Sequence, residues 1–355
     1  MIGRADARAG IAVFAVTRRG LKVSKRIEAA LKGVKVFSPE ELKDGGLRKK
    51  AAFAFKRSGA LVFVSAVGIA IRAIAPLVKA KHLDPAVVVV DERARFAISL
   101  LSGHLGGANR LAAELAAALN AAPVITTATE LWGLPSAEDI AEAFSLSIEN
   151  PGGIKAVNSA ILGGMTVHVA DTDKARLKAI RERFGNGCFK FANGAPRRLK
   201  EGEAIIHVTS GVRKNSGPEA KRTLILRPRD VVAGIGCGKG VPKEEIKKAL
   251  RAALRKAAVS PLSIKGFATV ELKRGEKGIT ALAKEMRVSV EYFGSARLKR
   301  VETRSPRSAF VKETAGTWGV AEPAALISSG AKELCLRKIK RGRVTVALAR
   351  APFTS

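Results

Sequence analysis

The sequence is poor in cysteine, in aromatic residues and in acidic residues, and each scarcity argues against a class of protein. Its three cysteines, Cys188, Cys237 and Cys335, are far apart and form no Cys-x-x-Cys pair, which argues against a disulfide framework and a structural zinc site. No signal peptide is visible, and no apolar run approaches the length of a membrane span. We therefore expect a cytoplasmic protein that holds no metal of its own and does not enter a membrane.

Aromatic residues make up 5% of the chain and hydrophobic residues 47%, so the cores must consist mainly of alanine, valine, isoleucine and leucine. Lysine and arginine number 63 against 31 acidic residues, which gives a formal net charge of +32. A field of this sign attracts polyanions such as nucleic acid, anionic lipid or a small substrate with many carboxylates. An organism-wide basic bias would produce the same composition, so the charge alone leaves both explanations open.

The order of strand and helix patterns predicts an α/β fold in three domains. Strands and helices alternate over residues 1–130, which favours a three-layer, Rossmann-like N-terminal domain with a mostly parallel sheet. Leu131–Pro135 is typical of a linker, and residues 131–229 predict a small α/β middle domain. The alternation returns in residues 230–355, which predict an α/β C-terminal domain.

One stretch, DPAVVVVDERARFAISLLSGHLGGANR (Asp84–Arg110), places polar side chains at the ends of two apolar runs. The first run ends at Asp91 and Glu92, and the second ends in SGHLGGAN (residues 102–109), where a helix begins. In an open α/β sheet, ligands bind at the edge where the parallel strands end. We therefore expect the acids, the histidine and the glycines to face one crevice, although an antiparallel hairpin at Asp91–Arg95 is an alternative.

Three side chains of this stretch are candidates for chemistry. His104, at the start of a helix, could act as a general base or donate a hydrogen bond to a ligand, although a histidine that only caps the turn fits equally. Asp91 could orient His104 or cap its own turn. A covalent triad with Ser102 is disfavoured, because Ser102 and His104 are two residues apart and no Gly-x-Ser-x-Gly elbow is present.

The small and amide residues around the histidine are candidates for binding. Gly103, Gly106 and Gly107 could present backbone N–H groups to an anion at the helix N-terminus, with Asn109 beside them. Tight turn geometry and close packing of strand against helix are the alternative reasons for glycine at these positions.

A second glycine-rich segment, GIGCGKG (Gly234–Gly240), follows a predicted strand. It lacks the third glycine of a dinucleotide fingerprint and the Ser/Thr of a P-loop, so binding of NAD or ATP is disfavoured. An anion-binding turn that includes Gly234, Gly236 and Cys237, with Lys239 as a point charge, stays open. No histidine is near Cys237 in the sequence, which argues against a nucleophilic thiol.

The chain resembles the CbiG family of cobalamin biosynthesis over nearly its whole length. Residues 59–130 carry the N-terminal part of the resemblance, in GIAIR (68–72), DPAVVVVDE, ISLLSGHLGGAN and PVITTAT. The segments GLP (133–135) and ENP (149–151) are similar to the family's middle region, and GIGC with the closing VTVALAR is similar to its C-terminal domain. Gly238-Lys239 departs from the family, in which two basic residues usually follow the cysteine.

The resemblance implies an activity, a ligand and possible partners. Members of the family are cobalt-precorrin-5A hydrolases, which open a δ-lactone on the contracted corrinoid ring, and the extruded carbon leaves with its methyl group as acetaldehyde. Cobalt is carried by the substrate, so we expect no cofactor bound by the protein itself. The acetate and propionate arms of this anionic corrinoid would account for the charge of +32, and other enzymes of the pathway are potential partners.

For this reaction we expect His104 to activate water and Asp91 to orient His104, and Ser102 is a further catalytic candidate. Backbone N–H groups around Gly103–Gly107 would stabilise the oxyanion, and Arg72 and Lys239 would bind substrate carboxylates. Two alternatives stay open: a corrinoid carrier without turnover, and a basic nucleic-acid-binding α/β protein. The second is disfavoured, because most of the basic clusters have no aromatic neighbours.

Overall fold

The computed structural model describes residues 10–80, 83–104, 106–185, 187–194, 196, 198–212, 217–303, 312–313 and 316–354. Strands and helices interleave in these residues and form three sheets, so the predicted α/β class is confirmed. The chain divides into two compact units. The first comprises Met1–Ile140 with Asn158–Gly164, and the second comprises Ala141–Val157 with Met165–Ser355.

Within the described residues of the first unit, one six-stranded sheet has the order β2-β1-β3-β4-β5-β6. Its strands are β1 (Ile11–Ala15), β2 (Val34–Phe37), β3 (Ala60–Val64), β4 (Ala86–Val90), β5 (Phe96–Leu101) and β6 (Ala122–Val124). The first four strands are parallel, whereas β5 is antiparallel to β4 and parallel to β6. The sheet is therefore mostly parallel, with a reversal between β4 and β5.

The helices of this unit cover both faces of the sheet. They include α1 (Arg18–Ala30), α2 (Pro39–Leu42), α3 (Gly46–Arg57), α4 (Val67–Ile74), α5 (Ala108–Leu119) and α6 (Ala128–Leu131). Helices α1 and α5 pack on one face, and α3 and α4 pack on the other. In β3, Val62 and Val64 face the core formed with α1 and α5, and Leu61 and Phe63 face the core formed with α3 and α4. This alternation is the two-residue period of a strand that is buried on both faces. The predicted three-layer arrangement is confirmed.

Local sequence signals set the ends of helices α4 and α5. Helix α4 ends at Ile74 and continues as a short 3-10 turn, because Pro76 cannot continue the helical hydrogen bonding. Helix α5 ends at Leu119, and the φ of 54° at its C-cap, Asn120, lies in the left-handed region that asparagine tolerates. The core face of α5 is a stripe of leucines, namely Leu111, Leu115 and Leu119.

The connection between β4 and β5 decides where the glycine-rich loop lies. Only Asp91–Arg95 joins the two strands, far fewer residues than a parallel crossover needs. The register pairs Val90 with Ala97 and Val87 with Leu101, so β5 runs back along β4. Asp91 therefore follows the carboxyl end of β4, whereas the loop after Leu101 lies at the opposite edge of the sheet. The hairpin alternative is correct, and the expectation that the acids and the histidine share one edge is wrong.

The described part of the second unit contains the other two sheets. One has the order β7-β11-β10-β8-β9, with strands β7 (Ser147–Ile148), β8 (Val167–Asp171), β9 (Phe189–Ala192), β10 (Ala204–Val208) and β11 (Thr223–Arg227). The other has the order β14-β13-β12-β16-β15, with strands β12 (Val231–Cys237), β13 (Ile264–Val270), β14 (Ser289–Phe293), β15 (Leu334–Arg341) and β16 (Val344–Arg350). Strands β15 and β16 form an antiparallel hairpin.

The remaining helices alternate with these strands along the chain. They include α7 (Ala137–Ala143), α8 (Gly152–Leu162), α9 (Lys174–Phe184), α10 (Lys243–Lys256), α11 (Lys277–Met286), α12 (Ser295–Lys299) and α13 (Ala321–Ser329). In the third sheet, α10 and α11 pack on one face through apolar stripes, and α13 packs on the other. The predicted α/β character of the middle and C-terminal parts is thus confirmed.

A buried arginine joins the second and third sheets. Arg227, at the end of β11, is 1% exposed, and it donates to both carboxylate oxygens of Glu149, at 2.6 and 2.8 Å. Glu149 also accepts a hydrogen bond from Ser260, in the segment before β13, at 3.1 Å. The hydrogen bonds from Arg227 lower the pKa of Glu149, against the opposing effect of burial. This network ties residues of two sheets to one carboxylate.

Candidate active site

The glycine-rich loop wraps the N-terminus of α5 at the amino edge of the first four strands. The Ala108 N–H donates to the Ser102 carbonyl at 3.1 Å, and the Asn109 N–H donates to the Gly103 carbonyl at 3.0 Å. The Gly107 N–H donates to the His104 carbonyl at 2.9 Å. Because the Gly107 amide is already used, an anion would have to bind through Gly103 and Gly106. Leu105 lies outside the described residues.

Asn109 is the centre of the hydrogen-bond network below this loop. It is 4% exposed. Its Oδ1 accepts from the Ser99 hydroxyl at 2.6 Å, and its Nδ2 donates to Thr127 Oγ1 at 3.0 Å and to Glu130 Oε1 at 2.7 Å. The amide therefore connects three segments: strand β5, the first turn of α5 and the chain that follows β6. Through these hydrogen bonds Asn109 holds the glycine-rich loop in place, and we interpret it as a positioning residue.

His104 is half-buried and is held by a residue that follows β6. Its Nε2 lies 3.1 Å from the hydroxyl of Thr129, which is itself 3% exposed. When Thr129 donates, Nδ1 of the neutral imidazole carries the proton; when Nε2 donates to the Thr129 hydroxyl instead, Nδ1 is unprotonated and can accept a proton. Thr129 thus has the orienting position that the sequence analysis gave to Asp91.

Ser102 combines a strained backbone with an unpartnered hydroxyl. Its φ is 60°, in the left-handed region that serine rarely adopts. The side chain is 8% exposed, and its Oγ has no hydrogen-bond partner among the described residues. Strained φ values and unsatisfied buried polar groups both concentrate at functional sites. Ser102 therefore remains a candidate for the chemistry, beside His104 in the same loop.

Two of the loop glycines are required by close packing. A Cβ on Gly103 would lie 2.6 Å from Asn109 Oδ1, and one on Gly106 would lie 2.7 Å from the Ser102 carbonyl oxygen. Real Cβ atoms do not approach other heavy atoms that closely, so larger residues would displace Asn109 or distort Ser102. The packing alternative from the sequence analysis therefore accounts for Gly103 and Gly106, whatever else their N–H groups do.

Asp91 does not meet His104. Strand β5 has six residues at about 3.4 Å each, so roughly 20 Å separates the two ends of the strand. The Asp91 carboxylate accepts from the backbone N–H groups of Arg93, Arg95 and Phe96 at 2.9, 2.8 and 2.7 Å. Burial opposes ionisation of Asp91, but these hydrogen bonds outweigh it and lower the pKa of the carboxyl group. Asp91 caps its own turn, and the prediction that it orients His104 is corrected.

Arg72 is also distant from the loop in the topology. It lies on α4, which follows β3 at the carboxyl edge and packs on the opposite face of the sheet from α5. Its side chain is exposed and donates to the Gly68 carbonyl at 3.4 Å. The structure therefore does not bring Arg72 to His104, and a role in binding carboxylates stays a prediction.

The glycines of the C-terminal segment serve packing more than ligand access. Gly234 is buried in the middle of β12, where a Cβ would collide with the Ala321 carbonyl of α13. Gly236 is half-buried, and a Cβ there would lie 2.6 Å from Thr345 Oγ1, which donates to the Gly236 carbonyl. The prediction that Gly234 contacts substrate is corrected, because α13 covers it.

The turn after β12 already holds a carboxylate of the protein. The Gly240 N–H donates to Glu276 Oε2 at 2.9 Å, so an anion at this amide would have to displace Glu276. Lys239 is exposed and remains a possible contact for a carboxylate. Cys237 is half-buried, and burial raises the pKa of its thiol, which disfavours the nucleophilic thiolate.

The described part of the chain contains neither a metal-binding cluster nor a membrane-spanning helix. No group of three or more histidine, cysteine, aspartate and glutamate side chains that could hold a metal ion occurs there. None of the helices described is long and apolar enough to cross a bilayer.

Sequence reasoning missed Thr129, Glu130 and Thr127, which hold the loop from the segment after β6. A signal was present: these polar residues follow the last strand of the unit, and β6 runs parallel to β5. The ends of β5 and β6 therefore meet at one edge, which places their following segments side by side. The sequence would have predicted this contact only if the parallel pairing of β5 with β6 had been known.

Comparisons with known proteins match two parts of the chain to family models. Residues 50–130 match the family model described as cobalamin synthesis G N-terminal, and residues 231–349 match the model described as cobalamin synthesis G C-terminus. The chain is 36% identical to the cobalt-precorrin-5A hydrolase of Salmonella typhimurium over 348 residues, which cover 95% of this chain and 97% of that protein.

Two further relatives span nearly the whole chain. The cobalt-precorrin-5A hydrolase of Priestia megaterium is 27% identical over 370 residues, which cover 98% of this chain and 96% of that protein. A crystal structure of a cobalamin biosynthesis protein G homologue from Sulfolobus solfataricus is 24% identical, with a TM-score of 0.36 over 98% of this chain and 99% of that one.

Proposed function

This chain belongs to the cobalamin synthesis G family, and we propose on that ground that it is a cobalt-precorrin-5A hydrolase of cobalamin biosynthesis. The observation that carries the proposal is the 36% identity to a cobalt-precorrin-5A hydrolase over 95% of the chain. The two family models support it independently at both ends of the chain. Free cysteines at Cys188, Cys237 and Cys335 are consistent with a reducing, cytoplasmic location for this activity.

The reaction we propose is the opening of the δ-lactone, followed by loss of a two-carbon fragment. Water adds to the lactone carbonyl, the C–O bond breaks, and a carboxylate and a hydroxyl group result. Removal of the hydroxyl proton then lets the adjacent C–C bond break, so that the carbon leaves with its methyl group as acetaldehyde and the bonding electrons pass into the ring. Cobalt takes part as a component of the substrate.

His104 is our candidate for the proton transfers. An imidazole can both accept and donate a proton, and a half-buried histidine can reach both the protein and a ligand. When Nε2 carries the proton and donates to the Thr129 hydroxyl at 3.1 Å, Nδ1 is unprotonated and can accept a proton from water or substrate. A positioned general base of this kind contributes about 10²–10⁴-fold to a rate. Thr129 would act as a positioning residue in this scheme.

The oxyanion would be stabilised by the remaining donors of the loop. The N–H groups of Gly103 and Gly106 are candidates, because Gly107 already donates to the His104 carbonyl. The Ser102 hydroxyl is a further donor, and a small movement of the loop would be needed to expose it. Preorganised donors that are aimed at developing charge are the usual source of large rate enhancements.

The test is to mix the purified chain with cobalt-precorrin-5A and to measure acetaldehyde with a coupled alcohol dehydrogenase. We expect stoichiometric release that depends on the protein. A corrinoid carrier would bind the substrate and release nothing. A nucleic-acid-binding protein would bind DNA or RNA with sub-micromolar affinity and a steep salt dependence, and would leave the corrinoid unchanged.

A further inference from the structure

Two large apolar side chains are exposed next to the candidate active site. Trp132 is 76% exposed and Leu131 is 66% exposed. Trp132 is one of two tryptophans in the chain. Its large apolar surface contributes little to the protein core and is available for contact with a ligand. Exposed apolar groups that adjoin polar residues are typical of ligand and partner contacts.

The segment that carries this apolar corner also holds the histidine. Thr129, in α6, contacts His104 Nε2, and Trp132 follows Thr129 by three residues. The Trp132 N–H donates to the Ala128 carbonyl at 3.1 Å, so Trp132 is the C-cap that closes the last turn of α6. Residues three apart on a helix are neighbours, with Cβ atoms about 5–6 Å apart. The side chain of Trp132 is therefore attached to the backbone next to Thr129, the residue that holds His104.

Backbone hydrogen bonds fix the shape of the corner. The Leu131 N–H donates to the Thr127 carbonyl at 3.0 Å, and the Leu134 N–H donates to the Thr129 carbonyl at 2.8 Å. Gly133, with a φ of 62°, turns the chain directly after Trp132. A corner that is ordered without a ligand loses little entropy when it binds one.

We propose that Leu131 and Trp132 form the platform against which the corrinoid ring of the substrate stacks. This inference rests on the proposed function and specifies how the ring is recognised. The face of the conjugated ring is broad and apolar, so it suits an indole, whereas the carboxylate arms at its rim suit the basic surface. Stacking at Trp132 would present the periphery of the ring to His104.

The experiment compares Trp132→Ala and Trp132→Phe with the wild-type chain in the acetaldehyde assay. We expect Trp132→Ala to raise KM about tenfold with kcat within about twofold, because stacking holds the ring equally before and during the reaction; tenfold corresponds to ~1.4 kcal/mol. Trp132→Phe should recover part of the loss. Circular dichroism and the urea midpoint should not differ among the three proteins, since an exposed side chain adds little to stability.

Fluorescence provides a second measurement that does not need turnover. In a Trp318→Phe background, Trp132 is the sole tryptophan, and saturable quenching by cobyrinic acid, a stable cobalt corrinoid with free carboxylate arms, supports the platform. Normal acetaldehyde release by Trp132→Ala with an unchanged KM overturns the platform and leaves the proposed function intact. Absence of acetaldehyde from the wild type refutes the proposed function, and the quenching then decides the binding question. A dimer that Trp132→Ala converts to monomers, with no quenching by the corrinoid, overturns the platform in favour of a second copy.

Discussion

Replacing Gly103 by alanine tests whether the Asn109 network holds the candidate active-site loop. The added Cβ would lie 2.6 Å from Asn109 Oδ1 and 3.0 Å from its Cγ and Nδ2, so the amide has to move. The amide makes hydrogen bonds of 2.6 Å with Ser99, 3.0 Å with Thr127 and 2.7 Å with Glu130, and a displacement weakens all three.

The size of the effect follows from these contacts. A neutral hydrogen bond contributes about 1 kcal/mol and one to a charged group about 1.5–3 kcal/mol, so loss of the network costs at most about 3.5–5 kcal/mol. Glu130 is exposed and can bind water instead. We therefore expect Gly103→Ala to lower the free energy of unfolding by about 2–4 kcal/mol. A loop displaced by about 1 Å should also lower kcat about 10²-fold.

Urea unfolding followed by circular dichroism measures the stability, and acetaldehyde release measures the rate. Gly152→Ala is the matched control, because a Cβ there has nothing within 4 Å. In an Asn109→Ala background the amide is absent, so adding Gly103→Ala should cost little more than Asn109→Ala alone. Wild-type stability and rate in Gly103→Ala, or strictly additive effects in the double variant, would refute the reasoning.

Three other predictions follow from the fold and the charge. Glu149→Gln should lower the free energy of unfolding by about 1–3 kcal/mol at pH 7. Because Arg227 lowers the pKa of Glu149 in the folded state, the carboxylate stabilises the fold at pH values above the ordinary glutamate pKa. In urea unfolding at a series of pH values, the stability difference between the two proteins should therefore shrink as the pH falls through the lowered pKa of Glu149. Gly234→Ala should destabilise by more than about 4 kcal/mol through its collision with Ala321, and a thermal midpoint like that of the wild type would contradict this packing. Raising the salt from about 0.1 M to about 1 M shortens the screening length from about 10 Å to about 3 Å, so KM for the anionic substrate should rise severalfold; a KM independent of salt would show that the charge does not attract substrate.

Much of the first unit could be predicted because its signals are local. Buried strands gave continuous apolar runs, as in Ala86–Val90, and α5 gave a leucine stripe with an asparagine at its end. Pro76 likewise marks the end of α4. Each of these features depends on residues within a few positions of one another, so no knowledge of the sheet order was required.

The candidate site was harder to predict, because it depends on strand direction. The short Asp91–Arg95 connection excludes a crossover, yet its consequence, that Asp91 and His104 leave the sheet at opposite edges, follows only once the pairing is known. Contacts between segments that are distant in the sequence could not be predicted either, because they also depend on the strand pairing. Thr129 is 25 residues from His104, and α13 covers Gly234 from a helix far along the chain.

The most direct measurement of the central claim, that the loop at the amino edge performs the chemistry, is acetaldehyde release by His104→Ala and Asp91→Asn. Both proteins should first be shown to be folded by circular dichroism. We expect His104→Ala to lose about 10²–10⁴-fold in kcat, and Asp91→Asn to stay close to the wild-type rate below its unfolding temperature, since Asp91 caps a turn at the opposite edge. Full activity in folded His104→Ala, together with inactivity in folded Asp91→Asn, would contradict the claim and move the site to the carboxyl edge.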